Sequence, residues 1–121
     1  MTHSAKSIRA FIGAKDYNIS RQFYKDLGFV ESVLSHNMSY FSVQNSIGFY
    51  LQDAYVKDWV DNSMIFLEVA NVDDYYQALS QLKLPEKYEG VRLVPIRKEE
   101  WGKECFLHDP AGVLWHFGEF Y

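Results

Sequence analysis

Few side chains in this sequence are of a kind, and in a setting, that could do chemistry. The single cysteine, Cys105, has no partner for an intrachain disulfide. Strand alternation sets it between Glu104 and Phe106 with no activating neighbour, so it is assigned no reaction. The run Arg97-Lys98-Glu99-Glu100 reads as a solvated loop. What the chain has in quantity is aromatic surface: nine Phe, nine Tyr and three Trp make 17% of it. Trp115, Phe117, Phe23 and Tyr24 are expected in the core, which leaves Tyr40, Phe41, Tyr50, Trp59, Phe66 and Trp101 for a stacking surface. A good aromatic contact contributes about 0.5–1.5 kcal/mol beyond its buried area, and a small-molecule pocket needs only a few. Trp59 and Trp101 fall in connecting segments, where a large ring is costly unless a ligand or a second subunit covers it.

The bulk properties narrow the partners. A chain of 121 residues is long enough to bury one core. A formal charge of −4 offers no basic footprint for nucleic acid or for an anionic membrane surface. No stretch approaches membrane-span length, and the N-terminus lacks the apolar run of a signal peptide. With one cysteine, the expectation is a cytoplasmic protein.

Elements able to position the aromatics come in two similar sets. Sliding the chain by 55 residues lays Phe11 on Phe66, Ile12 on Leu67, Ala14 on Val69, Tyr24 on Leu79 and Leu27 on Leu82. Each copy runs from a strand-like segment into a helix-like one. Ile19, Phe23 and Leu27 form one apolar stripe, and Val72, Tyr75, Leu79 and Leu82 form the other. Asn71 is placed to cap the second helix and Asn18 the first. Three strand-like runs follow each helix: 29–35, 39–44 and 47–52, then 91–97, 103–108 and 113–119. The last two flank Asp109-Pro110-Ala111-Gly112, in which Asp accepts a local hydrogen bond, Pro presets φ and Gly closes the turn. The order is β-α-β-β-β, twice.

Two stretches carry a family resemblance. Near the front, Ile19-Ser20-Arg21-Gln22-Phe23-Tyr24-Lys25-Asp26-Leu27-Gly28-Phe29 follows a strand-like segment ending at Asp16. At the end stand Gly102, Glu104, Phe106, Asp109-Pro110-Ala111-Gly112 and His116-Phe117. Together these resemble the vicinal oxygen chelate superfamily of glyoxalases, extradiol dioxygenases and bleomycin- and fosfomycin-resistance proteins. The resemblance covers almost the whole chain. It implies an α+β fold: two βαβββ modules whose curved mixed sheets surround a cup-shaped cavity. The chain is then one domain, 1–121, with module one at about 7–53 and module two at about 63–121.

Within that resemblance the superfamily's metal-ligand positions fall on Arg9, Tyr50, Met64 and His116. Strand alternation then places Phe11, Gln52, Phe66, Glu68 and Leu114 on the cup side. Ile8, Ala10, Ile12, Ile65, Leu67, Val69, Trp115 and Phe117 fall on the helix side. A guanidinium cannot donate a lone pair to a metal, and Met is a poor ligand for hard ions. No metal and no cofactor are therefore expected. The departure from the enzyme pattern is similar to the metal-free bleomycin-resistance branch, as is Asp61-Asn62. Glu68 needs a partner if it is buried, and Arg9 on the corresponding strand is the natural one.

The expected function is sequestration of a small molecule, of unidentified structure, by a metal-free binding protein. Its ligand-binding residues are Arg9, Phe11, Tyr50, Gln52, Met64, Phe66, Glu68, Leu114, His116, Trp59 and Trp101. The alternative is a metal-dependent lyase, isomerase or dioxygenase with an atypical ligand set, in which His116 and Glu68 would be catalytic and Glu68 or Arg9 would orient the histidine. A homodimer is expected, because each half-cup alone leaves Phe11 and Phe66 uncovered.

Overall fold

Apolar–polar alternation produces strands, and the two apolar stripes produce helices packed behind them. The computed structural model describes residues 1–121. Module one comprises β1 (Phe11–Gly13), α1 (Tyr17–Asp26), β2 (Val30–Ser35), β3 (Met38–Gln44) and β4 (Ile47–Gln52). A short helix, α2 (Lys57–Asp61), precedes β5 (Met64–Glu68), α3 (Val72–Leu82), a single turn α4 (Leu84–Lys87), β6 (Arg92–Lys98), β7 (Gly102–His108) and β8 (Leu114–Phe120). The β-α-β-β-β order thus occurs twice, with α2 and α4 as additions.

Each module makes one four-stranded mixed sheet, ordered β1-β4-β3-β2 and β5-β8-β7-β6. In both, the first strand pairs parallel with the last and the other pairs are antiparallel. The inner faces of the two sheets and their helices share a single cluster of 20 buried residues. Trp115 of β8 ties the halves together: its ring centroid lies 5.8 Å from that of Tyr24 and 5.3 Å from that of Phe49. Its indole N–H donates to Tyr24 Oη at 3.0 Å, and Tyr24 Oη in turn donates to Asp109 at 2.6 Å.

Several sequence expectations change on contact with the structure. Asp16, not Asn18, caps α1, its carboxylate accepting from the Ile19 N–H. Asn71 caps α3 as expected, accepting from Asp74 N–H. The buried stripe of α1 is Tyr17, Ser20, Phe23 and Tyr24, and Ile19 points to solvent. Phe41 is not a stacking surface but part of the core, because β3 turns it inward with Phe49 and Leu51 of β4. Arg97 and Lys98 end β6 rather than forming a loop, and Glu99 pairs with Arg97 at 3.3 Å.

β1 starts only at Phe11, and residues 1–10 carry no regular structure. Ile8 and Ala10 were expected against helices; instead they stand exposed, Ile8 at 96%. They border an apolar cavity of about 480 Å³ whose other walls include Phe49, Ile65, Leu67 and Trp115. The inner surface of the N-terminal segment is therefore apolar, as alternation requires, but nothing within the chain covers it.

Candidate functional site

Because the inner faces meet in one core, the outer face of each sheet is left open. Register fixes which side chains stand there. In sheet one, Phe11, Tyr50 and Tyr40 are cross-strand neighbours, and Arg9 lies one alternation before Phe11. The Phe11 and Tyr50 rings stack at 4.8 Å, and Tyr40 approaches Tyr50 at 5.6 Å. The Arg9 guanidinium lies 4.2 Å from the Tyr40 ring centre and donates to Tyr50 Oη at 2.9 Å. The bond to Tyr50 raises the Arg9 pKa. Tyr40 covers Gly48, where any Cβ would collide with the phenol, so that glycine is what lets the ring lie flat on the strand. Gln52 lies further along the same face of β4, half-buried and paired in register with Met38.

In sheet two, Phe66, His116 and Phe106 are cross-strand neighbours, with Met64, Leu114 and His108 one alternation away. Phe66 packs on Trp101 at 5.8 Å and on Phe120 at 5.8 Å, and covers Gly118 as Tyr40 covers Gly48. His116 sits between the rings of Phe66 and Phe106. Its Nδ1 donates to Glu104 Oε1 at 2.6 Å, while the buried Nε2 has no partner. A carboxylate on Nδ1 fixes which nitrogen carries the proton and leaves Nε2 as the free position. At one end, Arg92 stands 3.3 Å from His108 Nε2, and burial together with that cation lowers the His108 pKa.

The proposed residues therefore fall into two groups. Arg9, Phe11, Tyr50 and Gln52 share the first face; Met64, Phe66, Leu114, His116 and Trp101 share or border the second. Ring contacts and hydrogen bonds group residues within each face and do not bridge the two. Glu68 is exposed and makes no ion pair with Arg9, since Glu68 ends β5 of the second sheet while Arg9 lies just before β1 of the first, and the outer faces of the two sheets point away from a common core. The orienting neighbour of His116 is Glu104 on β7, not Glu68 or Arg9. Trp59 lies in α2 rather than in an open connection; its ring packs on the core and fills the space over Gly13. Tyr40, named from the sequence as a stacking candidate, does stand on the first face, whereas Glu104, Phe106, His108 and Arg92, which line or border the second, were not among the ligand-binding residues expected.

The residues present do not suit a catalytic metal. Arg9 and Tyr50 stand on one face, Met64 and His116 on the other, and no three His, Cys, Asp or Glu side chains gather anywhere in the chain. Cys105 is buried in β7, and burial pushes its thiol up to about 11, the opposite of an activated nucleophile. No helix is long and apolar enough to cross a membrane.

The fold defined by these paired modules is that of the glyoxalase and bleomycin resistance proteins. It matches the bleomycin-binding protein of Streptomyces verticillus, solved with copper(II)-bleomycin, at a TM-score of 0.82 and 18% identity over 99% of this chain and 100% of that one. The bleomycin resistance determinant encoded on transposon Tn5 matches at 0.80 and 14% identity, covering 96% of this chain and 98% of that one. An antibiotic binding protein from a Streptomyces species matches at 0.72 and 16% identity, covering 99% and 100%. No family sequence model and no curated protein sequence matches the chain.

Proposed function

We propose that the chain is a small-molecule binding protein that sequesters its ligand without a metal and without changing it covalently. The observation that carries this reading is the pair of open aromatic faces, each with a few fixed polar groups set among rings: Arg9 on Tyr40 and Tyr50 beside Phe11, and His116 with Glu104 among Phe66, Phe106 and Trp101. Rings supply area and shape, and a small number of convergent polar groups supplies orientation, the usual composition of a ligand pocket. The structural neighbours support it, being described as bleomycin-binding and antibiotic-binding proteins. We propose further that the protein belongs to the bleomycin-resistance-like branch, acts in the cytoplasm, and works as a homodimer in which a face from each chain closes each pocket.

The test uses untagged protein purified without added metal. An aromatic compound library is screened by thermal shift, and each hit is recovered and weighed by mass spectrometry. A ligand that binds only the folded state raises stability by RT ln(1 + [L]/Kd), about 2.7 kcal/mol at a hundredfold excess over Kd. The expected outcome is stabilisation that survives a metal chelator, with the ligand returned at its original mass. A ligand returned with altered mass, or binding abolished by the chelator, would move the protein to the enzyme class.

A further inference from the structure

The net charge of the protein is −4, which taken alone favours a cationic ligand. The charge on the first open face has the opposite sign. The strand residues on that face are Phe11 of β1, Gly48, Tyr50 and Gln52 of β4, Met38, Tyr40 and Ser42 of β3, and Val30 and Ser32 of β2. None carries a formal charge. The one acidic residue of β2, Glu31, turns to the other side, where Arg21 and Ser39 hold it. Arg9 is thus the single formal charge over the rings.

Arg9 is also uncommitted. Arg21 and Arg97 each have a carboxylate within reach, at 2.6 and 3.3 Å, whereas Arg9 has none and donates only to the phenol of Tyr50. Its guanidinium carbon lies 4.2 Å from the Tyr40 ring centre, and the buried Tyr40 hydroxyl lacks any partner. With one nitrogen donating to Tyr50 and no carboxylate in reach, the other N–H groups of Arg9 are free for the two-point pairing that a guanidinium offers an oxyanion. Phe11, stacked on Tyr50, offers an apolar ring beside that fork.

We propose that the first face selects a planar aromatic anion, an arenecarboxylate or a compound presenting the same oxyanion on an aromatic ring. The ring lies against Phe11 and Tyr50, and the oxyanion pairs with the outer edge of Arg9. This rests on the ligand-binding reading above and gives it a chemical class.

The test is isothermal titration of the full chain, near neutral pH and low salt, with three naphthalenes of similar size: 1-naphthoate, 1-naphthylmethanol and 1-naphthylmethylammonium. The expected result is 1-naphthoate binding at least tenfold more tightly than the alcohol, with the ammonium compound weakest. Arg9→Gln should bring 1-naphthoate to the level of the alcohol bound by the same variant. Arg9→Lys keeps the charge but loses the fork and should retain only part of the preference. Arg9 is exposed, so an unchanged melting temperature for the Gln variant checks that the fold is intact. Equal affinities, a preference for the ammonium compound, or a preference for 1-naphthoate that survives Arg9→Gln overturns the anion assignment while leaving ligand binding standing. Failure of all three to bind also overturns the aromatic-anion assignment, and the library screen above decides the binding reading separately.

Discussion

Tyr24 and Asp109 show how single side chains join the two modules. Asp109 is fully buried; its Oδ1 accepts from the N–H groups of Ala111, Gly112 and Val113, and its Oδ2 accepts from Tyr24 Oη. Burial pushes the Tyr24 pKa well up, so the phenol stays a donor at any ordinary pH. Removing a partner of a buried group costs about 1–3 kcal/mol for each donor or acceptor stranded. Asp109→Ala strands four donors and should cost about 4 kcal/mol or more, whereas Tyr24→Phe strands two groups, Asp109 Oδ2 and the Trp115 N–H, and should cost about 2–3 kcal/mol. Urea unfolding of the two variants gives the comparison, and an Asp109→Ala loss no larger than that of Tyr24→Phe would contradict it. The turn role of Asp109 was readable, because turn chemistry is local. Its bond to a tyrosine 85 residues away was not, because periodicity tells which face a residue takes and not which side chain it meets. The Glu104–His116 pair was lost for a related reason. A four-residue turn between strands ending at 108 and starting at 113 was expected, but His108 pairs with Leu114, which leaves five residues between them. That one-residue slip decides which side chains share a face.

At the level of elements, both helices and all eight strands were legible from the spacing of apolar residues. The short pieces were not: α2 and α4 are five and four residues long, too short to show a helical stripe. β1 was read as reaching further back than it does, because Ile8 and Ala10 continue its alternation although the sheet does not extend to them. The attachment of α1 to its sheet makes a prediction at this scale. Arg21 of α1 donates to Glu31 of β2 at 2.6 and 3.2 Å, and Ser39 of β3 donates to the same carboxylate at 2.7 Å. The bond from Arg21, with that from Ser39 behind it, holds the Glu31 pKa below its ordinary value of 4.5. A carboxylate lowered in the fold adds stability that is full above the unfolded value and is lost as the pH falls through the folded one. At pH 7, Glu31→Gln should therefore be less stable than the wild type by about 1–3 kcal/mol. In denaturation curves taken from pH 7 to pH 3 that gap should close below the ordinary value. A gap that stays constant, or grows, across the range would show that Glu31 acts by shape and not by charge.

On the scale of the whole molecule, one shared core has a consequence that neither module has alone. With the inner faces buried against each other, the aromatic outer faces point away from the core, and no single chain can close a cup over them. Phe11 and Phe66 remain about half exposed, at 49% and 45%, Met64 at 66% and Ile8 at 96%. Apolar surface of that extent marks an interface or a ligand site, and a two-fold pairing would set face one of one copy opposite face two of the other. Each pocket would then combine Arg9 and its tyrosines with His116, Glu104 and Trp101. The prediction is a homodimer at micromolar concentration, seen by sedimentation as twice the chain mass of 14.2 kDa. Two substitutions separate the parts of the surface. Ile8→Asp places a charge on the exposed N-terminal segment, in the apolar cavity that Ile8 shares with Phe49, Phe66 and Trp115, and should shift the species toward monomer and weaken ligand binding with it. Trp101→Ala trims a ring beside Phe66 and should weaken ligand binding; if Trp101 only lines the pocket, the dimer survives, and if it also seals the subunit boundary, dimer and binding fall together. Trp59→Ala, which opens a hole over Gly13 and the core, should lower stability without selecting either. A chain that sediments at its own mass and still binds ligand with full affinity would show that one open face suffices, and the shared pocket would have to be abandoned.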